Sequence, residues 1–353
     1  MNLEAEYPLR ILFIGAGAIG SYVGVSLAIK GHQVVFLEQP EVQQRLLLQG
    51  LSLEIDGQVY HLQHPLVIAS LEEALIEETF DVAILAIKAF DTDAALSQME
   101  QYKEKFPPVL CLQNGVENET KIEATLGHGK AIPGTVTSAL GKRPEGIIVL
   151  EKMRGMGIAG GHPLAPRLVE AFSLAGLNAR LFPDGAAMKW SKMLTNLLAN
   201  ATSAILDMTP AEVFAHPGLF KIEINQLREA VQVMRSLKLG VVDLPRTPVR
   251  ALAFAAQKLP LSISQLAIKR AVGTGRGGKM PSFHLDLHAR RGKSEVDYLN
   301  GAVVRFGERL GVATPVNNLL NQTLISLTEG KISIDSFRHQ PEKLARTISS
   351  IKG

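Results

Sequence analysis

Ile11-Leu12-Phe13-Ile14-Gly15-Ala16-Gly17-Ala18-Ile19-Gly20 carries a short apolar strand straight into a G-x-G-x-x-G turn. A helix follows from Ile19 to about Lys30, Gly31-His32 closes it, and a second apolar strand runs over Gln33–Leu37. Strand, glycine loop and helix in that order predict a dinucleotide site. Gly15 permits the tight turn, Gly17 lets the backbone approach a pyrophosphate, and Gly20 lets the helix pack closely on the strand. With Ala16, Ala18 and Ile19 they form the cofactor loop, and the helix N-terminus offers free N–H groups and its dipole to the phosphates.

Glu38 ends the second strand, where an acidic side chain accepts hydrogen bonds from the adenosine ribose hydroxyls. A carboxylate there repels the extra phosphate of NADP, and Gln39, Pro40 and Glu41 supply no immediate Arg. NAD(H) is therefore the expected cofactor, with NADP(H) as the alternative through Arg45, one turn into the next helix. The plainer reading of Glu38 is a solvated loop glutamate.

The chain has 353 residues, more than one core usually organises, so two domains are expected. Net charge is +3, from 37 basic and 34 acidic residues scattered among one another, which gives no case for a nucleic-acid surface. Cys111 is the only cysteine, so an internal disulfide and a Cys-based zinc cluster are excluded; it lies in an apolar run and reads as a small buried side chain. No apolar run reaches the length of a membrane span, and Met1–Arg10 is polar and acidic rather than signal-like. A cytoplasmic location is the default expectation.

Strand candidates are Arg10–Ile14, Gln33–Leu37, Val82–Ala86, Val109–Leu112, Ala131–Thr135 and Asn178–Phe182, with a hairpin over Leu51–Leu62 about Asp56-Gly57. After Pro183-Asp184-Gly185 the period becomes helical. An α/β Rossmann domain over residues 1–183 and an all-α domain over 184–353 are expected. From Ala186 to Leu206, the residues Trp190, Met193, Leu194, Leu197, Leu198, Ala201 and Ile205 form the apolar stripe of one long helix. Beside it, Lys192, Asn196 and Asn200 recur at every fourth residue. Asn is a mediocre helix former, so two at one azimuth suggest a use for their amides, although from spacing alone a solvated helix face is the better reading.

Further motifs follow in order. Ala86-Ile87-Lys88-Ala89 ends a strand, with Asp91 and Thr92 leading into a helix, and Gln113-Asn114-Gly115 ends the next. Trp190-Ser191-Lys192 opens the polar stripe, and Pro281-Ser282, Asp286 and Ser294-Glu295-Val296-Asp297-Tyr298-Leu299-Asn300-Gly301 come later. Together with the glycine loop these resemble, over nearly the whole chain, the motifs of the ketopantoate reductase (2-dehydropantoate 2-reductase) family. The resemblance implies a Rossmann domain, a helical domain like the C-terminal one of 6-phosphogluconate dehydrogenase, and a substrate cleft between them. It implies Lys192 as general acid, Glu295 as its carboxylate partner and a substrate contact, and Ser282 as a contact for the substrate carboxylate. Asn196 and Asn200 would hold substrate oxygens, and Lys88 and Asn114 would stand where nicotinamide meets substrate. Plainer alternatives are a strand-end lysine for Lys88, a left-handed turn residue for Asn114 and a helix N-cap for Ser282.

Hydride transfer to a ketone creates an alkoxide that must be neutralised as it forms, and a positioned ammonium such as Lys192 can polarise the ketone and then protonate it. No metal is needed, and no ligand cluster is expected; His284 and His288, spaced by four, read as lining or flanking the cleft. Phe283-His284-Leu285 departs from the family's M-L-Q, and Val241–Met280 is expanded. Within that expansion Gly273–Met280 mimics a P-loop but has Met280 where Ser or Thr is required, so it reads as a mobile cleft loop. The expected activity is NAD(P)H-dependent reduction of a small 2-keto acid, ketopantoate to D-pantoate in pantothenate and coenzyme A synthesis. The alternatives are an NAD-dependent D-2-hydroxyacid dehydrogenase with a bulkier substrate and a non-catalytic NAD sensor, against which intact Lys192 and Glu295 argue. The apolar C-terminal helices suggest a homodimer.

Overall fold

The computed structural model describes residues 8–76, 79–265, 278–290 and 292–351. The chain divides into two units, Met1–Lys189 with Leu244–Thr247, and Trp190–Asp243 with Pro248–Gly353. The first is α/β and the second helical.

In the first unit, β1 (Arg10–Ile14), β2 (Gln33–Leu37), β5 (Leu66–Ile68), β6 (Val82–Leu85), β7 (Val109–Cys111) and β8 (Ala131–Val136) pair in parallel in the order β5-β2-β1-β6-β7-β8. This is the doubly wound Rossmann order, whose ligands bind at the carboxyl ends of the strands where the winding reverses. Here the reversal falls between β1 and β6. Antiparallel β11 (Met156–Ala159) and then β12 (Ala179–Phe182) extend the sheet beyond β8. Side chains alternate across β1: Ile11 and Phe13 enter the core on one face, Leu12 and Ile14 the core on the other.

The helix after the glycine loop, α1 (Ala18–Ala28), is apolar nearly all round, and such a helix must be covered on several sides. The main sheet covers one side; the other is met by a second sheet, ordered β4 (Gln58–Leu62), β3 (Leu51–Ile55), β10 (Ile148–Lys152), β9 (Ala139–Lys142). The β3–β4 hairpin turns at Asp56 and Gly57, with φ of 49° and 81°, the pair of left-handed residues that a tight hairpin needs.

The second unit is built from helices. α7 (Gly185–Leu197) begins in the first unit and crosses the division, which falls between Lys189 and Trp190 rather than at the expected 183 and 184. α8 (Asn200–Leu206), α10 (Pro217–Ser236), α12 (Ser282–His288), α13 (Val296–Leu310), α14 (Pro315–Thr328) and α15 (Pro341–Ile351) pack about a core that includes Trp190, Leu194, Leu197, Phe220 and Leu320. The described residues of this unit also include the helices α9 (Pro210–Ala215) and α11 (Val249–Lys258). The run Gly273–Met280, read as a mobile loop, lies outside the described residues up to 277. Among the described residues no helix is long and apolar enough to cross a membrane.

One expectation is corrected: the stripe from Ala186 to Leu206 is not one helix, because α7 ends at Leu197 and Ala199 is left-handed, with φ 51° and ψ 13°. The cause lies on α10. Glu223, fully buried, accepts from Ala199 N–H at 2.7 Å, from Thr202 Oγ1 at 2.5 Å and from Gln226 Nε2 at 2.5 Å. Gln226 in turn donates to the Leu197 carbonyl at 3.2 Å. The donor and acceptor orphaned by the break are thus both satisfied from α10, as buried backbone groups must be.

Burial raises the Glu223 carboxyl from its ordinary 4.5 to about 7, only partly opposed by the hydrogen bonds it accepts. The folded chain therefore keeps this proton between about 4.5 and about 7 while the unfolded chain has released it, so this group makes stability fall as pH rises through that window. Glu223→Gln stays neutral and keeps the bonds if Thr202 reverses its hydroxyl. Wild type should lose on the order of 3 kcal/mol relative to Glu223→Gln between pH 4.5 and 7. Denaturant midpoints for both proteins across that range check it, and parallel pH profiles would show that Glu223 does not titrate there.

Candidate active site

In the first unit, four predicted segments meet at the carboxyl ends of adjacent strands: the glycine loop after β1, Glu38 after β2, Lys88 after β6 and Asn114 after β7. Gly15 has φ 100°, and a Cβ there would stand 2.7 Å from Ile87 Cγ2. A Cβ on Gly20 would collide with the Gly15 carbonyl. Packing inside the unit thus requires two of the three glycines. Gly17 is different: a Cβ there meets no protein atom within 4 Å, so internal packing gives no reason for a glycine, whereas a ligand drawn against the backbone does. Gly17 is also the N-cap of α1 and makes no side-chain cap, which leaves the first-turn N–H groups to an anion.

Glu38 is half-buried and leans on the loop, its Oε1 accepting from Ala16 N–H at 2.5 Å and its Oε2 from Gln39 N–H at 3.3 Å. It is not the solvated loop residue of the plainer reading. It places a carboxylate beside the glycine loop, while Arg45 is exposed on α2 (Pro40–Gln49).

Lys88 stands at the N-cap position of a short 3-10 turn, Ala89–Asp91, ahead of α4 (Thr92–Glu100), and makes no side-chain capping bond. Buried Gln113 ties this loop to the next: its Nε2 donates to the Ile87 carbonyl at 3.1 Å and to Thr92 Oγ1 at 2.8 Å. The Asn114 carbonyl accepts from Asn118 Nδ2 at 2.9 Å. The left-handed residue of this turn is Gly115, with φ 100°, so Asn114 is not there to supply that conformation.

Sequence reasoning missed Lys189. It is almost fully buried, paired with Glu119 Oε1 at 2.8 Å, and donates to the carbonyls of Gln113 at 2.6 Å and Gly134 at 3.3 Å. Burial opposes its charge, but the Glu119 carboxylate outweighs that and its pKa is raised, so it stays an ammonium that pins the Gln113–Gly115 turn. Nothing local in the sequence marks it, because Glu119 lies in another element, α5 (Asn118–Leu126). Cys111 is fully buried, as expected, and burial pushes its thiol pKa up.

In the second unit, Lys192 is half-buried on α7, Asn196 is buried one turn later, and Asn200 opens α8 beyond the break. Asn200 is the hub. Its Oδ1 accepts from Phe283 N–H at 3.1 Å, and its Nδ2 donates to the Asn196 carbonyl at 3.1 Å and to Ser282 Oγ at 3.5 Å. Three separated predicted residues are thereby joined. The Asn200 amide thus has protein partners at both its oxygen and its nitrogen. Ser282 is the first residue of α12, with Pro281 at the N-cap and no side-chain cap bond, so it is not there as a cap. Glu295 is buried at the N-cap position of α13.

The two histidines have a partner that sequence spacing did not show. His284 Nε2 lies 2.7 Å and His288 Nε2 3.8 Å from Asp207 Oδ1, which corrects the expectation of no ligand-type cluster.

Comparison with known proteins bears on both units. The profile of a family described as "Ketopantoate reductase PanE/ApbA" matches residues 11–160, and that of its C-terminal part matches residues 184–327. The chain is 27% identical over 331 residues to a 2-dehydropantoate 2-reductase of Lactococcus lactis, covering 91% of this chain and 98% of that one. It is 26% identical over 320 residues to one from Pyrococcus horikoshii, covering 88% and 95%. Among solved structures, a PanE/ApbA family ketopantoate reductase from Ralstonia eutropha superposes with TM-score 0.75 at 24% identity, over 92% of this chain and 99% of that one. A D-mandelate dehydrogenase solved with NADH and anilino(oxo)acetate gives 0.76 at 24% identity, over 91% and 99%. At that identity the two structures share the fold, an N-terminal Rossmann sheet and a helical C-terminal domain.

The glycines separate packing from binding. Gly20→Ala should cost about 1–3 kcal/mol of stability through overpacking against the Gly15 carbonyl. Gly17→Ala should cost under about 1 kcal/mol, a poorer N-cap only, yet weaken NADH binding by about tenfold or more. Denaturation and fluorescence titration of both variants check this; undiminished NADH affinity in Gly17→Ala would mean that no ligand approaches that backbone.

Proposed function

The chain belongs to the ketopantoate reductase PanE/ApbA family, oxidoreductases acting on a keto acid, and from that premise we propose that it reduces ketopantoate to D-pantoate with NADH as the preferred donor. The observation that carries the reading is the hydrogen-bonded assembly of Asn196, Asn200 and Ser282, which unites motifs far apart in the chain on the same unit as Lys192 and Glu295. The expected place of this step is pantothenate and coenzyme A synthesis.

Nicotinamide, when bound, supplies the hydride. The first-turn N–H groups of α1 and the open flank of Gly17 suit its pyrophosphate, and Glu38 suits the ribose hydroxyls. Lys88 and Asn114, at the ends of neighbouring strands, are assigned to the nicotinamide end. Lys192 donates to the ketone oxygen, stabilises the negative charge that grows there, and passes its proton to the alkoxide; it is recharged from water. Glu295, buried at the start of α13, is assigned to orienting Lys192 or a substrate hydroxyl. Ser282, held by Asn200, presents its hydroxyl to the substrate carboxylate, and Asn196 is assigned to a substrate oxygen.

A second reading keeps the chemistry and changes the substrate: an NAD-dependent D-2-hydroxyacid dehydrogenase acting on a bulkier keto acid. The structural likeness to D-mandelate dehydrogenase and the departure of Phe283-His284-Leu285 from the family's M-L-Q motivate it.

Lys192→Ala should lower kcat by about 10²–10⁴-fold with little change in NADH affinity. A kcat within a few-fold of wild type would remove Lys192 from the acid role. For the donor, NADH should exceed NADPH in kcat/KM by about tenfold or more, because the Glu38 carboxylate opposes a 2′-phosphate. Glu38→Ala with Gln39→Arg should shift the preference toward NADPH. Preference for NADPH in the unaltered chain would overturn the role of Glu38.

A further inference from the structure

α12 carries His284 and His288 on one face, and their rings stack with centroids 4.1 Å apart and planes at 32°. Asp207, the residue that ends α8, holds a left-handed backbone, φ 52° and ψ 44°, an unusual conformation for a residue other than glycine. From there its Oδ1 stands 2.7 Å from His284 Nε2 and 3.8 Å from His288 Nε2, and one ligand atom from each of the three lies within 4.8 Å of the others.

We propose that Asp207, His284 and His288 form a site for a first-row divalent transition ion, zinc in the first instance, that ties the end of α8 to α12. Zinc binds imidazole nitrogen and carboxylate oxygen at about 2.0–2.2 Å in tetrahedral array, which sets neighbouring ligand atoms roughly 3.3 Å apart. The observed 2.7 and 3.8 Å to Asp207 Oδ1 bracket that spacing, and the two imidazole nitrogens lie within 4.8 Å of each other, so side-chain rotation would bring all three onto one ion. A hydrogen bond between His284 and Asp207 accounts for the shorter distance but not for a second imidazole nitrogen 3.8 Å from the same oxygen. Two nitrogens and one oxygen select a transition ion over calcium or magnesium, which require oxygen ligands, and water takes the fourth position. Arg338 Nε binds the other carboxylate oxygen, Oδ2, at 3.0 Å. It therefore leaves Oδ1 to the ion and orients the carboxylate from behind, as outer-sphere partners do at metal sites. His288 is 40% exposed and gives the ion access from solvent. None of these residues belongs to the proposed reductive machinery, so the site stands or falls separately from it.

The test uses the whole chain, freed of metal by a chelator and titrated with zinc by calorimetry and with cobalt by visible absorption. One equivalent should bind, cobalt should show the strong visible bands of a four-coordinate ion, and zinc-edge X-ray absorption should show imidazole back-scattering. His288→Ala should weaken zinc by about tenfold or more, and Asp207→Asn, which tolerates the left-handed backbone, should do likewise. His128→Ala, at an exposed histidine elsewhere, should change nothing. Circular dichroism confirms that the variants fold; His288 is the main test because it is the most exposed of the three residues, so its loss disturbs packing least. Absence of saturable zinc binding, or equal affinity in wild type and His288→Ala, would overturn the proposal.

Discussion

The second unit depends on one buried carboxylate. Glu223 costs free energy to bury and is kept because it replaces hydrogen bonds that a broken helix cannot make for itself. Its partner Gln226 extends the network: Gln226 Oε1 accepts from Asn300 Nδ2 at 3.1 Å, Asn300 also donates to Asn317 Oδ1 at 3.0 Å, and Asn317 Nδ2 reaches Glu229 Oε2 at 2.7 Å. Glu229 then accepts from the N–H groups of Val316 and Asn317, both at 2.9 Å, at the start of α14. α7, α8, α10, α13 and α14 are thus joined by directional buried hydrogen bonds, which specify one arrangement more narrowly than apolar packing does. The consequence for function is local: without the break, Asn200 would continue the line of α7, and with it Asn200 turns to Phe283 N–H and Ser282.

The first unit solves the corresponding problem with a charge pair. Two loops that end neighbouring strands must hold still if they are to place Lys88 and Asn114. Gln113 links them, and the buried Lys189–Glu119 pair holds Gln113 by its carbonyl. A buried pair of this kind adds little net stability, but losing one partner leaves the other as an uncompensated charge, so it fixes a conformation effectively.

The local half of this account was legible in the residues. β1 and β2 have the expected bounds, the hairpin turns at Asp56-Gly57, and the glycine loop runs into α1, because strand alternation, turn chemistry and glycine geometry are short-range. Four strands were not anticipated, β5, β9, β10 and β11; each has five residues or fewer, and β10 acquires its place by pairing with β3, nearly a hundred residues earlier. The break between α7 and α8 was also missed. Residues 198 and 199 contain neither glycine nor proline, and the group that stabilises the left-handed turn arrives from α10. Lys189 and Asp207 follow the same rule, since a lysine or an aspartate shows its role only once Glu119 or the two histidines are placed beside it.

The central claim is that this fold reduces a 2-keto acid with a nicotinamide donor, and its most direct test is kcat/KM measured with NADH across a panel running from ketopantoate to phenylglyoxylate. The account predicts turnover with ketopantoate as the best substrate and the D alcohol as product. No NADH oxidation above background with any keto acid, while NADH still binds, would contradict it.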